Sequence, residues 1–372
     1  MTGRRRPAIL RSLEHPKVKL LVPRLLKWFA ANARDMPWRR THDPYGVYVS
    51  EIMLQQTQVK TVIPYWERWM RELPTIDAAA AAAPEKIHKL WEGLGYYSRV
   101  RNLQQAAQII QRDHDGVFPD TFDEILALPG IGRYTAGAIC SIAFNQPAPI
   151  LDGNVIRVLT RIFGIAEDPK EKRTNAKLWE LAAALVTRAD QRSQSCSALN
   201  QALMELGALV CTPRQPQCTR CPAKTLCTAD QEGRTGELPK LEKRPAASAR
   251  RFMAFVVECE GRWLVRQRPA STVNAHLWEF PNREVTGQTR GAPAVARDEL
   301  GFSPGKLEPL GQVKHSITRY RITLEAFIIT VKTRPAGLAG SWKSAAELRP
   351  LAFTSAHKKL ASLAGRRILA DR

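Results

Sequence analysis

The hydrophobic period changes once along this chain of 372 residues, and no other feature restricts the fold as strongly. From about residue 20 to residue 210, apolar side chains recur at three-and-four spacing with short breaks at Pro and Gly, as in "LLVPRLLKWFAAN", "VRNLQQAAQIIQRD", "NVIRVLTRIFGI" and "CSALNQALMELGALV". That spacing belongs to helices that each bury one face. Further on, "RFMAFVVECEGRWLVRQR" reads as two strands around a Glu-Gly turn, and "RYRITLEAFIITVKT" as an alternating or fully buried strand. Residues 229–250 between them are polar, charged and interrupted by Gly and Pro, which suits a linker. The expected organisation is a basic tail at 1–20, a helical domain at 21–228, the linker, and an α+β domain at 251–372. The alanine run in "DAAAAAAPEK" is expected to form a surface helix.

Charge narrows the partners. The 56 Lys and Arg against 35 Asp and Glu leave a net +21, which favours a polyanion, nucleic acid foremost, over an indifferent basic surface. No stretch approaches the roughly 20 apolar residues of a bilayer-spanning helix. The opening "MTGRRRPAILRSLEHPKVKL" lacks the apolar core and cleavage site of a secretory leader, so a cytoplasmic, nucleoid-associated protein is expected.

Four of the seven cysteines crowd into "CTPRQPQCTRCPAKTLC", where Cys211, Cys218, Cys221 and Cys227 are separated by six, two and five residues. In a reducing compartment such crowding argues for a metal centre over disulfides. Zinc usually takes two closely spaced Cys pairs, whereas here one Cys-x-x-Cys is flanked by single ligands; a [4Fe-4S] cluster is favoured, with zinc the alternative. Arg214, Arg220 and Lys224 on the same loop suit a phosphate contact.

Three weaker signals accompany it. "LPGIG" between "FDEILA" and "RYTAGAICSIAF" has the form of a helix-hairpin-helix over about 122–143. Gly130 and Gly132 there would allow positive φ and close backbone approach, so that peptide N–H groups and the next helix N-terminus face a phosphate; an ordinary interhelical turn is the alternative. "PILDGNVIRVL" sets Asp152 before a helix, where an N-cap is its ordinary role. "DPYGVYVSEIMLQQTQV" sets Glu51 at an apparent helix start, equally ordinary for a glutamate.

Together with "PWR" at 37–39, "LWEGLGYYSRVRNL" at 90–103 and the four cysteines, these segments closely resemble the MutY family of adenine DNA glycosylases, within the endonuclease III superfamily. The likeness spans residues 25–227 almost without gaps. It implies a six-helix barrel and a second helical module that holds the [4Fe-4S] loop, with the active site between them. It further implies a monomer acting on double-stranded DNA that contains A:8-oxoguanine or A:G mispairs, from which adenine is flipped and excised. By motif match, Glu51 is the general acid and Asp152 the carboxylate that stabilises the sugar cation, with Tyr134 and Asn154 in support. Trp38, Arg39, Leu94 and Tyr96 match residues around the adenine pocket and flipped strand; Gln56 and Thr57 match a wedge that enters the stack. Where lyase members of the superfamily carry a nucleophilic lysine, this chain has Tyr134, which implies base removal without strand cleavage. The rival readings are a pyrimidine glycosylase-lyase of the endonuclease III type and a cluster-containing DNA-binding protein without activity.

"RWLVRQRPASTVNAHLWEFPNREV" resembles the opening of a Nudix-like domain, the family's reader of 8-oxoguanine. "AVARDELGFSPG" keeps Asp298 and Glu299 but not the full carboxylate set of a pyrophosphatase, so a binding module is expected. The family's Phe-Ser-His loop aligns with Ile317, Thr318 and Arg319; Ile317 keeps an apolar wedge and Thr318 a hydroxyl, while Arg319 departs from the pattern.

Overall fold

The computed structural model describes residues 12–242, 246–286, 291–317 and 319–370, without the side chains of 366–370. The chain divides into two compact units, Met1–Ala81 with Asn102–Lys243, and Ala82–Arg101 with Arg244–Arg372.

The first unit is helical. Helices α1 (Pro16–Asn32), α2 (Pro44–Leu54), α3 (Val59–Glu72) and α4 (Ile76–Ala81) open it. Helix α5 (Pro84–Trp91) belongs to the second unit, and α6 (Ser98–Asp113) runs from that unit into this one. Then follow α7 (Phe122–Ala127), α8 (Arg133–Ile142), α9 (Gly153–Phe163), α10 (Lys172–Ser193), α11 (Cys196–Leu209) and the short α12 (Thr228–Gln231). Their starts are written in local chemistry. Asp43 accepts from the N–H groups of Tyr45 and Gly46 ahead of α2, Thr121 caps α7, and Asp152 caps α9, which ends at Gly164 in the left-handed region. Helix α11 packs on α1, α8, α9 and α10, while α2 packs on α8. Those contacts set the site.

The second unit is built on a mixed sheet of strands β1 (Ser248–Cys259), β2 (Arg262–Gln267), β3 (Trp278–Glu279), β4 (Asn282–Glu284), β5 (Glu308–Ile317), β6 (Tyr320–Thr330) and β7 (Ser341–Ser344). Its main order is β3-β2-β1-β6-β5, with β4 beside β1 and β7 beside β2; only β1 and β6 run parallel among these pairs. Strand alternation sends Met253, Phe255 and Val257 to one face, where Val295, Ala296 and Leu300 of α13 (Ala292–Leu300) cover them. Ala254 and Val256 point to the other, under Ala356, Leu360 and Ala364 of α15 (Ser355–Ala370), which follows the short α14 (Ala345–Leu348). The expected Glu260-Gly261 turn joins β1 to β2, both residues at positive φ (51° and 74°).

Four expectations need correction. The tail is shorter than 1–20: α1 begins at Pro16 because His15 caps it, and Val18 is fully buried. The linker is shorter than 229–250, since Arg161 Nε donates to Leu238 O at 2.9 Å and β1 already begins at Ser248. Within the helical span expected at 21–228, Ala82–Arg101 groups with the C-terminal unit. The alanine run forms the expected surface helix only in part; α4 ends at Ala81, and although Asp77 and Ala81 are exposed, Ala79 and Ala80 are buried. Among the described residues, no helix is long and apolar enough to cross a membrane.

Candidate functional site

Glu51 lies in the last turn of α2, not at a helix start. The Asp43-Pro44 signal begins that helix two turns earlier than Ser50 suggests. Glu51 is 5% exposed, and Tyr134 Oη, from the first turn of α8, donates to Glu51 Oε2 at 3.0 Å. Burial, reinforced by the negative field of Asp152, pushes Glu51 up to about 7, against the Tyr134 hydrogen bond and the Arg39 guanidinium. A carboxyl so poised can hold or give up a proton near neutral pH.

Asp152 caps α9 and faces the site as well. Oδ1 accepts from Val155 N–H at 2.7 Å and Oδ2 from Asn154 Nδ2 at 3.0 Å. Burial raises its pKa even against these donors and Arg157, so the capping role and a functional one coexist in a single side chain. Asn154 is itself held. Arg157, one turn later, donates through Nη2 to Asn154 Oδ1 and Gly207 O, both at 2.8 Å, and through Nε to Cys211 O at 2.7 Å. A Cβ on Gly207 would stand 2.6 Å from Asn154 Cβ, so α11 reaches this turn of α9 only because residue 207 has no side chain.

Sequence reasoning overlooked Arg157, and with it Glu205 and Met204. Glu205, 1% exposed, pairs with Arg34 Nε at 2.7 Å and Arg39 Nη2 at 3.1 Å; Met204 Sδ lies 3.2 Å from Tyr134 Oη. A lone acid inside the apolar run "NQALMELGALV" was the available signal, because a buried carboxylate requires partners.

The other expected residues scatter. Trp38 is buried edge-on against Trp66, ring centroids 6.0 Å apart. Past the end of α2, Gln56 is exposed at φ 57°, and Thr57 turns its hydroxyl to Gln55 O. In the helix-hairpin-helix turn, Gly130 has φ 75° and closes on Asn102 of α6. Gly132 differs from expectation: its φ is −103°, as the N-cap of α8, and its Cβ position is open. Leu94, buried, and Tyr96, 44% exposed, belong to the other unit, as does half-buried Ile317 at the end of β5. Thr318 lies outside the described residues; Arg319 stacks on Tyr320 at 5.2 Å.

Cys211, Cys218, Cys221 and Cys227 line one chamber with Val158, Ile162, Leu206 and Val210 as apolar walls. Arg161 Nη1 lies 3.4 Å from Cys211 Sγ, a cation suited to a thiolate-held, net-negative centre. Among the described residues, no group of three or more His, Cys, Asp or Glu is gathered tightly enough to hold a single ion. In the second unit, Arg266 neutralises Glu299 at 2.5 Å, and Asp298 lies 3.8 Å from Arg283.

Two family models match. Residues 49–184 match the HhH-GPD superfamily of base excision DNA repair proteins, and residues 252–363 match the NUDIX domain. A solved thermostable thymine-DNA glycosylase is similar at 30% identity and TM-score 0.52, over 58% of this chain and 97% of that one. Helix pair, buried carboxylates and cysteine chamber thus sit in a helix-hairpin-helix DNA glycosylase fold, extended by a Nudix-like domain. Adenine DNA glycosylase of Rattus norvegicus is 37% identical over 90% of this chain and 76% of its own length. The Homo sapiens enzyme is 34% identical over 90% and 72%, and that of Buchnera aphidicola subsp. Acyrthosiphon pisum is 36% identical over 69% and 72%. The chain belongs to the adenine DNA glycosylase family.

Proposed function

We propose that this protein is a monofunctional adenine DNA glycosylase that excises adenine opposite 8-oxoguanine or guanine in double-stranded DNA. The observation that carries this is the Glu51 carboxyl, buried, raised to about 7, held by the Tyr134 hydroxyl and subject to the field of Asp152. Protonated Glu51 donates its proton to N7 of the flipped adenine. The C1′–N9 bond then breaks with its electron pair on the departing base, and Asp152 stabilises the cationic sugar. Ionised Glu51 takes a proton from the water that attacks C1′. Asn154, tied to Asp152 at 3.0 Å, and Tyr134 orient water and carboxylate.

Tyr134 has no amine with which to form a Schiff base, and this supports release of adenine without strand cleavage. Trp38 and Arg39 border the base, and Gln56 and Thr57 enter the stack. Leu94 and Tyr96 keep the expectation of DNA contact, and the turn at Gly130 and Gly132 receives a phosphate. Ile317 and Thr318 read the base opposite adenine. Cys211, Cys218, Cys221 and Cys227 hold a [4Fe-4S] cluster: the four thiols line one chamber, and their spacing of six, two and five residues favours the cluster over zinc. When bound, the cluster supplies a rigid thiolate-ligated centre about which the loop folds. The test is single-turnover excision from A:8-oxoguanine and A:G duplexes by wild type, Glu51→Gln and Asp152→Asn. Abasic sites that form with wild type, are nearly lost in both variants and give no borohydride-trapped adduct are expected. Near wild-type rates in either variant overturn the mechanism, and a trapped adduct abolished by replacing one lysine overturns the monofunctional reading.

A further inference from the structure

Glu92, the residue after α5, has the environment of a latch. It is 5% exposed, yet it is a carboxylate. Oε1 accepts from the backbone N–H of Phe353 at 2.9 Å, and Oε2 takes Lys358 Nζ at 2.6 Å and Lys89 Nζ at 3.0 Å. Lys89 Nζ also donates to Leu351 O at 3.0 Å, and one residue earlier His88 stacks on His276 with centroids 6.2 Å apart and planes 11° off parallel. Residues 88–92 are thereby bound to three separate places of the C-terminal unit: the loop before β3, the segment 351–353, and α15. Burial alone would drive this carboxyl up; the donors from Lys358, Phe353 and Lys89 hold it below its ordinary value, so it is ionised and paired.

The turn after Glu92 is stiff. Gly93, Gly95 and Tyr96 all have positive φ (107°, 71° and 46°). Trp91 Nε1 donates to Gly95 O at 3.1 Å, Arg99 Nη2 donates to Leu94 O and Gly95 O at 2.9 and 3.0 Å, and Gly93 N–H donates to Tyr97 Oη at 3.1 Å. These ties join the turn to Trp91 and Arg99 on either side of it. It presents Tyr96 outward, and it leads directly into α6, whose Asn102 is the side chain against which Gly130 closes.

We propose that Glu92 is a positioning residue that fixes the Tyr96 turn to the C-terminal unit, so that reading of the opposite base by that unit is transmitted to the turn that meets the DNA. This rests on the proposed role of the C-terminal unit as the sensor of 8-oxoguanine. A merely structural Glu92 would, when lost, weaken excision from every substrate alike; a transmitting one changes their ratio.

The test compares full-length wild type, Glu92→Ala and Lys358→Met, the last removing one ammonium and leaving the carboxylate. Single-turnover rates are measured on A:8-oxoguanine and A:G duplexes, and backbone hydrogen exchange is followed over residues 84–97. In Glu92→Ala the ratio of the two rates is expected to fall at least about fivefold, the lower end of ordinary coupling between sites, with faster exchange in 84–97. Lys358→Met is expected to move both in the same direction, less far. An unchanged ratio in both variants, or unchanged exchange, overturns the proposal. Should Glu92→Ala not fold, Glu92→Gln, which still accepts from Phe353 N–H, carries the same comparison. If wild type itself does not distinguish the two duplexes, the sensor reading fails separately, and exchange alone then decides whether the latch stands.

Discussion

Replacing Glu51 by glutamine should strengthen the fold while disabling the site, and the size of the gain is set by where the carboxyl sits. Its pKa moves from 4.5 to about 7 because burial opposes its charge. A shift of about 2.5 units at ~1.4 kcal/mol each makes the ionised side chain unfavourable to folding by ~3 kcal/mol. Because the folded pKa is the higher one, the sign is definite. Below about pH 4.5 the group is neutral folded or unfolded, and nothing is lost. Between 4.5 and about 7 the unfolded chain ionises first and stability drains away, and above 7 the full penalty is in force. The group is only 5% exposed, so little of this is screened by solvent. Urea unfolding of wild type and Glu51→Gln from pH 5 to 9 should therefore diverge, with the variant ahead by ~2–3 kcal/mol at the alkaline end. Excision should meanwhile fall by roughly 10²–10⁴, the ordinary contribution of a general acid. Parallel pH dependences for the two proteins would refute the assignment of Glu51 as a buried, desolvated acid.

Three further outcomes are expected from the same geometry. Tyr134→Phe removes the hydrogen bond that holds Glu51 down, so the alkaline fall of the single-turnover rate should move to higher pH; movement to lower pH would contradict the 3.0 Å contact. Arg157→Ala strips donors from Asn154, Gly207 and Cys211, each unmet buried acceptor costing roughly 1–3 kcal/mol; both the excision rate and retention of the cluster's visible absorbance should drop, and wild-type values for both would detach Arg157 from the site. Gly207→Ala forces a Cβ to within 2.6 Å of Asn154 and should destabilise by roughly 1–3 kcal/mol, whereas Gly132→Ala, whose Cβ meets nothing within 4 Å, should lower Tm less, by no more than alanine's disadvantage to glycine as an N-cap.

Legibility differed by the range of the physics involved. Asp152 was readable as a cap, and Gly130 as a positive-φ turn, because both roles are completed within a few residues of chain. Glu51 was flagged but placed in the wrong turn of its helix, since Ser50 competes with Asp43 as a start signal and only Asp43 binds the first free N–H groups. Arg157 escaped notice because its acceptors lie at 154, 207 and 211, and nothing within three or four residues of it reports a partner on α11. Glu92 escaped for the same reason: beside Lys89, its partners Phe353 and Lys358 lie some 260 positions away in "LAFTSAHKKL".

By itself the sequence determined what short-range chemistry can determine. It specified helices before residue 210 and strands after 248, the helix-hairpin-helix turn, the cysteine loop and the presence of a tyrosine in place of a lysine, because period, caps and ligand spacing are local properties. Tertiary structure alone decided that Glu51 is an acid with a pKa near 7, that Asp152 is both cap and site residue, and that residues 82–101 belong with the C-terminal unit. The reason is that desolvation and charge pairing depend on which segments are packed around a group. For Glu51 that environment is assembled from α2, α8, the start of α9 and the Pro37–Arg39 turn, brought together only when the helices close.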